Sequence, residues 1–174
     1  MEKTVINNLI TKIGEGDELA MEELYNGIGR AVLTFIFTYV KNTYTAEDLM
    51  QDTFMQIIKN PKKFTDDDNG MAYILTIARN LSLNYIKREK RQQISTMEEL
   101  DVFSGASEGD SEKKAYLNQF LATLTEEERR ILILKESYGF TFEEIRKMMK
   151  LSIATVKRRM NDVKNKFKIF DTKE

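Results

Sequence analysis

The stretch Thr141-Phe142-Glu143-Glu144-Ile145-Arg146-Lys147-Met148-Met149-Lys150-Leu151-Ser152-Ile153-Ala154-Thr155-Val156-Lys157-Arg158-Arg159-Met160 decides the fold. Thr141 followed three residues later by Glu144 is a capping signature, and it opens a short helix that ends around Met149. Ser152 can cap a second helix whose apolar stripe runs through Val156, Met160, Val163 and Phe167. A short helix, a tight turn and a longer basic helix make up a helix-turn-helix. The longer helix presents Thr155, Lys157, Arg158, Arg159 and Lys164. Arginine and lysine pair with phosphates or guanine edges, and an exposed helix end fits the major groove. A basic helix near a chain end is often only a solvated face, but the turn and the caps favour DNA.

Upstream, Thr125-Glu126-Glu127-Glu128 opens another helix by the same capping logic, and Gly139 is expected to close it. Before it, residues 96–112 carry Glu98, Glu99, Asp101, Glu108, Asp110 and Glu112 with no lysine or arginine. With Ser104-Gly105-Ala106-Ser107 and Gly109 in the same run, residues 93–112 read as a flexible acidic linker. The N-terminal unit then begins with a helix capped by Asp17 and running through Leu24, Ile28, Leu33 and Phe35 to Val40. Thr45-Ala46-Glu47-Asp48 resembles a capping box with Asp in place of Glu. From it a helix places Ala46, Leu49, Met50, Phe54, Ile57 and Ile58 on an apolar face, and Glu47, Asp48, Gln51, Asp52 and Gln56 opposite. The acidic side is unsuited to DNA phosphates; it is either a solvated face or a dock for a basic partner. A polar loop over Lys59 to Gly70 leads into a long helix from near Met71, burying Ile74, Ala78, Leu81 and Tyr85. Its other side aligns Asn80, Asn84, Lys87, Arg88 and Arg91, and amides and cations beside aromatics suit splayed single-stranded bases.

Composition sets the exclusions. The 174 residues are 41% hydrophobic and 32% charged, with one proline, which suits an all-α globular protein. There is no cysteine and no histidine, so disulfides, histidine-based triads and the usual zinc ligand sets are excluded. Asp66-Asp67-Asp68-Asn69-Gly70 hints at a calcium loop, but Met71 stands where glycine is needed and Ile77 where glutamate is. No phosphate-cradling glycine motif occurs, so neither a cofactor nor an enzymatic role is expected. The start of the chain lacks a signal segment and Ala31 to Val40 is too short to span a bilayer, so a cytoplasmic protein without membrane insertion is expected. A net charge of −1 argues against a free-standing nucleic-acid binder.

Several motifs together resemble one family. Thr45-Ala46-Glu47-Asp48-Leu49-Met50-Gln51-Asp52-Thr53-Phe54 resembles the polymerase-binding segment of extracytoplasmic-function (ECF) sigma factors. Ile77-Ala78-Arg79-Asn80-Leu81-Ser82-Leu83-Asn84-Tyr85-Ile86-Lys87-Arg88 is similar to that family's helix for the minus-ten promoter element. Leu124 to Arg130, Phe142 to Ile145 and Thr155 to Arg159 resemble its minus-thirty-five domain. The resemblance implies a sigma factor that binds core RNA polymerase through the large-subunit clamp helices and the flap, and that directs promoter recognition and melting. It implies that Glu47, Asp48, Gln51 and Asp52 dock on polymerase. Lys63, Phe64, Arg79, Asn80, Asn84, Lys87 and Arg88 would open and read the minus-ten region. Ser152, Thr155, Lys157, Arg158 and Arg159 would contact the minus-thirty-five duplex. An anti-sigma factor is an implied partner, and the acidic linker would run toward the active-site and RNA-exit region. The chain departs from the family at Tyr73, Asn84, Arg146 and Lys150, where tryptophan, aspartate, a small residue and glycine are usual. The last two imply a wider turn, with Arg146 turned to solvent or phosphate.

The expected architecture is therefore two small helical domains: 1–92 resembling sigma region 2, the linker 93–112, and 113–174 resembling sigma region 4. A stand-alone helix-turn-helix regulator is the rival reading. It accounts for residues 125–168 but not for Ala46–Phe54 or Ile77–Arg88.

Overall fold

A computed structural model describes residues 1–60, 62, 68–92 and 111–172. The chain divides into two compact units at residues 100 and 101. Among the described residues every regular element is helical.

The first unit holds α1 (Lys3–Gly14), α2 (Glu18–Val40), α3 (Thr43–Lys59) and α4 (Gly70–Gln92). α1 lies ahead of Asp17, the first helix cap that the sequence predicts. Its signal is regular, since Ile6, Leu9, Ile10 and Ile13 recur at helical spacing and all four are buried. Asp17 caps α2 as expected, its carboxylate accepting from the Ala20 N–H at 3.1 Å. α2 packs against α1, α3 and α4. Leu24, Val32, Phe35 and Ile36 of α2 are fully buried, as are Ile10 of α1, Ile57 of α3 and Ile74 and Leu75 of α4. Each such side chain contributes roughly 1.5–3 kcal/mol of apolar transfer energy.

Three local expectations need correction. α3 starts two residues before Thr45, and its cap is Asn42, whose side chain accepts from the Thr45 N–H at 2.9 Å. Asn is as good a cap as Thr and sits where the extended backbone ends, so the Thr45–Asp48 box is not formed. Ile58, assigned to the apolar face, is exposed, and Thr53 is buried in its place by bonding its hydroxyl to the Leu49 carbonyl. On α4, Leu81 and Tyr85 are only half-buried, while Ser82 is fully buried on the Ala78 carbonyl.

The second unit holds α5 (Ser111–Ala122), α6 (Glu126–Leu132), a π-helical turn (Ile133–Ser137), α7 (Phe142–Met149) and α8 (Ile153–Asp171). Residues 93–110 of the expected linker lie outside the described residues; Ser111 and Glu112, assigned to it, begin α5 instead. The register of Leu117, Phe120, Leu121 and Leu124 explains this, because Phe120, Leu121 and Leu124 bury themselves against Val163 of α8. Capping boxes form at Thr125/Glu128 and at Thr141/Glu144. Gly139 does not directly close α6. The helix widens into the π turn first, and Gly139 then reverses the chain at φ +68°. Ile131, Leu134, Ile145 and Val156 form the fully buried centre.

The turn between α7 and α8 is tight. Lys150 occupies the left-handed region (φ 56°, ψ 43°) that glycine favours, and the Leu151 N–H returns to the Arg146 carbonyl at 3.0 Å. The wider turn expected from Lys150 is therefore absent, the lysine accepting the strain instead. Arg146 does lie at the surface, where its guanidinium pairs with Glu143 at 2.5 Å.

Candidate nucleic-acid and partner interfaces

On α3 the residues expected to dock a partner share one face. Glu47, Asp48, Gln51 and Asp52 are all exposed. The same side carries an apolar component that the sequence reading missed. Tyr44 is 76% exposed, Met55 47% and Ile58 46%. Positions 44, 48, 51, 55 and 58 alternate steps of four and three, which draws a straight seam along a helix. Along it Asp48 and Gln51 stand between Tyr44 at one end and the apolar Met55 and Ile58 at the other, with Glu47 and Asp52 beside them.

On α4, Asn80, Asn84, Lys87 and Arg88 are exposed and fall one above the next, while Arg79 is half-buried beside them. Arg88 lies over the Tyr85 ring, 5.6 Å from its centroid. A guanidinium stacked on a ring forms a flat, cationic platform of the kind that bases stack on. Lys63 and Phe64, assigned to the same site, lie outside the described residues, as do Asp66 and Asp67 of the acidic run. The frame around them is described. Tyr73, standing where tryptophan was expected, donates its hydroxyl to the Asn60 carbonyl at 2.8 Å, and burial raises its pKa above the usual value. Lys62 lies 5.9 Å over the Tyr73 ring.

On α8 the assigned residues separate into three groups. Lys157 and Arg158 are exposed at the helix start. Ser152 is the cap: its hydroxyl accepts from the Thr155 N–H at 3.0 Å and lies 2.8 Å from the Thr155 hydroxyl. Arg159 points inward, its Nε donating to Glu127 of α6 at 2.6 Å. That hydrogen bond, and then the charge of Glu127, raise its pKa. A second strut runs parallel, from Lys166 to Glu128 at 2.6 Å. Ile153, Ala154, Asn161 and Lys164 complete the outward face with Lys157 and Arg158. Of these, Ile153, Ala154 and Asn161 were missed because no charge marks them. A methyl or an amide reads thymine or adenine as readily as arginine reads guanine.

Behind this face, α5, α6, the π turn and α8 enclose an apolar groove of about 640 Å3, lined by Leu117, Phe120, Leu121, Leu132, Met160 and Phe167 among others, with Lys164 and Lys168 also on its wall. Among the described residues, no helix is long and apolar enough to cross a membrane.

A helix-turn-helix unit with a basic outward face, paired with a second helical unit bearing amide, cation and acidic faces, defines a two-part DNA-binding transcription factor. Two family profiles match: sigma-70 region 2 over residues 24–92 and sigma-70 region 4 over residues 114–166. The chain belongs to the sigma-70 family, in its ECF group, and is an RNA polymerase sigma factor whose partners are core polymerase and promoter DNA. The family is a non-catalytic class of transcription initiation factor. The chain is 24% identical over 144 residues to the RNA polymerase sigma factor YlaC of Bacillus subtilis, which spans 79% of this chain and 83% of the relative. It is 25% identical over 134 residues to CarQ of Myxococcus xanthus, across 75% of this chain and 77% of that one. Among solved structures, the fold is shared with the sigma factor RpoE of Bartonella quintana, bound there to the anti-sigma factor NepR. The TM-score is 0.67 at 24% identity, over 87% of this chain and 96% of that one. CnrH, in complex with the cytosolic domain of CnrY, superposes with a TM-score of 0.65 at 17% identity, over 98% and 99% of the two chains.

Proposed function

We propose the following division of labour. The domain of residues 1–92 docks on polymerase through Glu47, Asp48, Gln51 and Asp52 of α3 and reads the minus-ten element through α4. The domain of residues 111–174 presents Lys157, Arg158 and the N-terminal turn of α8 to the minus-thirty-five duplex, with 93–110 as the linker. The observation that carries this reading is the shared exposure of Asn80, Asn84, Lys87 and Arg88 on one side of α4, in the same unit as the acidic seam of α3. A stand-alone regulator needs neither face.

Within the seam, the carboxylates steer a basic partner, and Met55 and Ile58 supply the apolar contact that holds it. The groove behind α8 fits an apolar helix such as the polymerase flap would offer. The RpoE and CnrH complexes support an anti-sigma partner for this chain as well, which would keep it from polymerase. The protein acts in the cytoplasm, where polymerase is, and performs no catalysis itself. Arg159 enters the minus-thirty-five contact only by leaving Glu127, and Ser152 contributes chiefly by shaping the helix start.

The test is co-elution of the purified chain with bacterial core RNA polymerase, beside the Asp48→Ala/Asp52→Ala double variant. Tight binding by the intact chain that the variant loses is expected. Failure of the intact chain to bind would overturn the docking assignment and favour the stand-alone regulator.

A further inference from the structure

α6 and α7 open alike. Each sets a threonine cap against a glutamate and adds further acids to its first turn, Glu126 and Glu127 in α6 and Glu143 in α7. α8 opens differently. Behind its Ser152 cap come Ile153, Ala154 and Thr155, and its first turn carries no acid. A carboxylate at a helix start complements the helix dipole, so an isoleucine there forgoes a local stabilisation. Packing does not demand it either, since Ile153 is 37% exposed and Ala154 is exposed beside it.

The polar groups around this helix start are engaged within the protein. The Ser152 hydroxyl accepts from the Thr155 N–H and lies 2.8 Å from the Thr155 hydroxyl. Arg159 donates to Glu127, and Arg146 of α7 donates its Nε to both carboxylate oxygens of Glu143 at 2.8 Å. The outward face of the first half of α8 is therefore made of Ile153, Ala154, Lys157, Arg158 and Asn161. Positions 153 and 157 lie one turn apart, as do 154 and 158, so an apolar pair stands directly ahead of a cationic pair.

We infer that Ile153 is a specificity determinant for the minus-thirty-five element, packing its side chain on the C5-methyl group of a thymine in the major groove. The inference rests on the reading of α8 as the helix that enters that duplex. A helix-turn-helix reads base edges with the N-terminal residues of its second helix, and Ile153 is the first residue of α8. An isoleucine neither donates nor accepts a hydrogen bond. The apolar handle that a base pair offers in the major groove is the thymine methyl, which cytosine lacks. Ala154 is small enough to let the base edges approach, and Lys157 and Arg158 hold the helix in register from the following turn. An acid in the first turn would repel the flanking phosphates, and α8 has none.

The experiment uses the full chain assembled with core polymerase and a promoter duplex enriched from randomised DNA by the wild-type holoenzyme. Each thymine of its minus-thirty-five element is replaced in turn by deoxyuridine, which removes the methyl and leaves the base pairing unchanged. Affinities of the wild type, Ile153→Ala and Lys157→Ala/Arg158→Ala are measured in competition titrations. Expected for the wild type is a loss of about three- to fourfold at one or two adjacent thymines, the equivalent of one methyl group no longer buried. Ile153→Ala should bind the thymine duplex more weakly by a similar factor and no longer distinguish uracil there. The double cation variant should bind more weakly overall and keep the uracil effect. Ile153 lies at the surface, so its truncation leaves the unit folded. An enriched element without thymine, a wild type indifferent to every uracil, or an Ile153→Ala protein as sensitive as the wild type each overturns the inference. If that happens while Lys157→Ala/Arg158→Ala is impaired, the inference fails alone. If the double cation variant binds as well as the wild type, the minus-thirty-five reading of α8 has failed and takes the inference with it.

Discussion

Replacing Glu128 by alanine should unfold the C-terminal unit well before the rest of the chain. Glu128 is only 2% exposed. Its carboxylate accepts from the Thr125 N–H at 2.7 Å and from the Lys166 ammonium at 2.6 Å. Its own backbone N–H donates to the Thr125 hydroxyl at 3.3 Å. One residue therefore closes the α6 capping box and fastens α6 to α8. Loss of the side-chain half of a capping box costs about 1 kcal/mol. A charge-assisted bond lost from a sheltered site costs about 1.5–3 kcal/mol more. The lower part of that range applies, because the Lys166 side chain is 37% exposed and regains water when its partner is gone. The sum is about 2–3 kcal/mol. At about 4–8 °C per kcal/mol for a domain of this size, the C-terminal transition should drop by roughly 10–20 °C.

Circular dichroism melts of the full chain, with hydrogen exchange at Leu134 and Val156 to locate the transition, measure this directly. Glu128→Gln keeps an acceptor for Thr125 and should cost about half as much. Burial alone would raise the Glu128 pKa, but the hydrogen bonds from Lys166 and Thr125 and the lysine charge outweigh it and hold the group below its usual value. A depressed folded-state pKa means the ionised carboxylate stabilises the fold above its unfolded pKa. That contribution is lost as pH falls through the folded value. The wild-type and Glu128→Gln melting curves should therefore converge on acidification below about pH 4. A cost under about 0.5 kcal/mol at pH 7, or a gap between the two proteins that does not narrow in acid, refutes the reasoning.

Three further outcomes are expected. Glu127→Gln releases Arg159 from a pair in which both side chains are 34% exposed, so holoenzyme affinity for minus-thirty-five duplex should rise about two- to fivefold in titrations; a fall would mean the pair orients Arg159 instead of withholding it. Lys150→Gly relieves a lysine at φ 56° and should raise stability by roughly 0.5–1 kcal/mol in urea melts, whereas destabilisation would show the left-handed turn to be unstrained. Lys157→Ala should weaken holoenzyme binding at every promoter sequence and flatten the salt dependence by about one unit of slope; an effect confined to one base pair would mark Lys157 as a base reader.

Most of what the sequence states locally the fold reproduces, the Thr45 box, the close at Gly139 and the wider turn at Lys150 excepted. The Thr125 and Thr141 capping boxes, the Ser152 and Asp17 caps and the exposed carboxylates of α3 depend on spacings of a few residues, and such spacings survive folding. The failures have several causes. Ile58 follows Ile57 directly, and no periodicity tells which of two adjacent isoleucines the core accepts. α1 went unread although its isoleucine register is regular, because nothing near it signals function. α5 was hidden by the acidic residues before it. The inward turn of Arg159 was invisible for a different reason: Glu127 is 32 residues away, and only the packing of α6 across α8 brings the two together.

That packing changes how the charge of α8 should be counted. The helix carries six lysines and arginines against two aspartates, Asp162 and Asp171. Arg159 and Lys166 are engaged by Glu127 and Glu128, so Lys157, Arg158, Lys164 and Lys168 remain on the exposed surface. Even if all four reached phosphates, the electrostatic gain would stay below that of proteins making about six to ten such contacts. A chain of net charge −1 has no long-range attraction to add. The acids on α6 thus hold the recognition helix rigid while limiting its affinity for DNA at large. Under the proposed reading, the deficit is met by α4 and by polymerase, since two modest contacts on one assembly bind far more tightly than either does alone. Promoter selectivity then depends on both contacts being made together, which a stickier α8 would undermine.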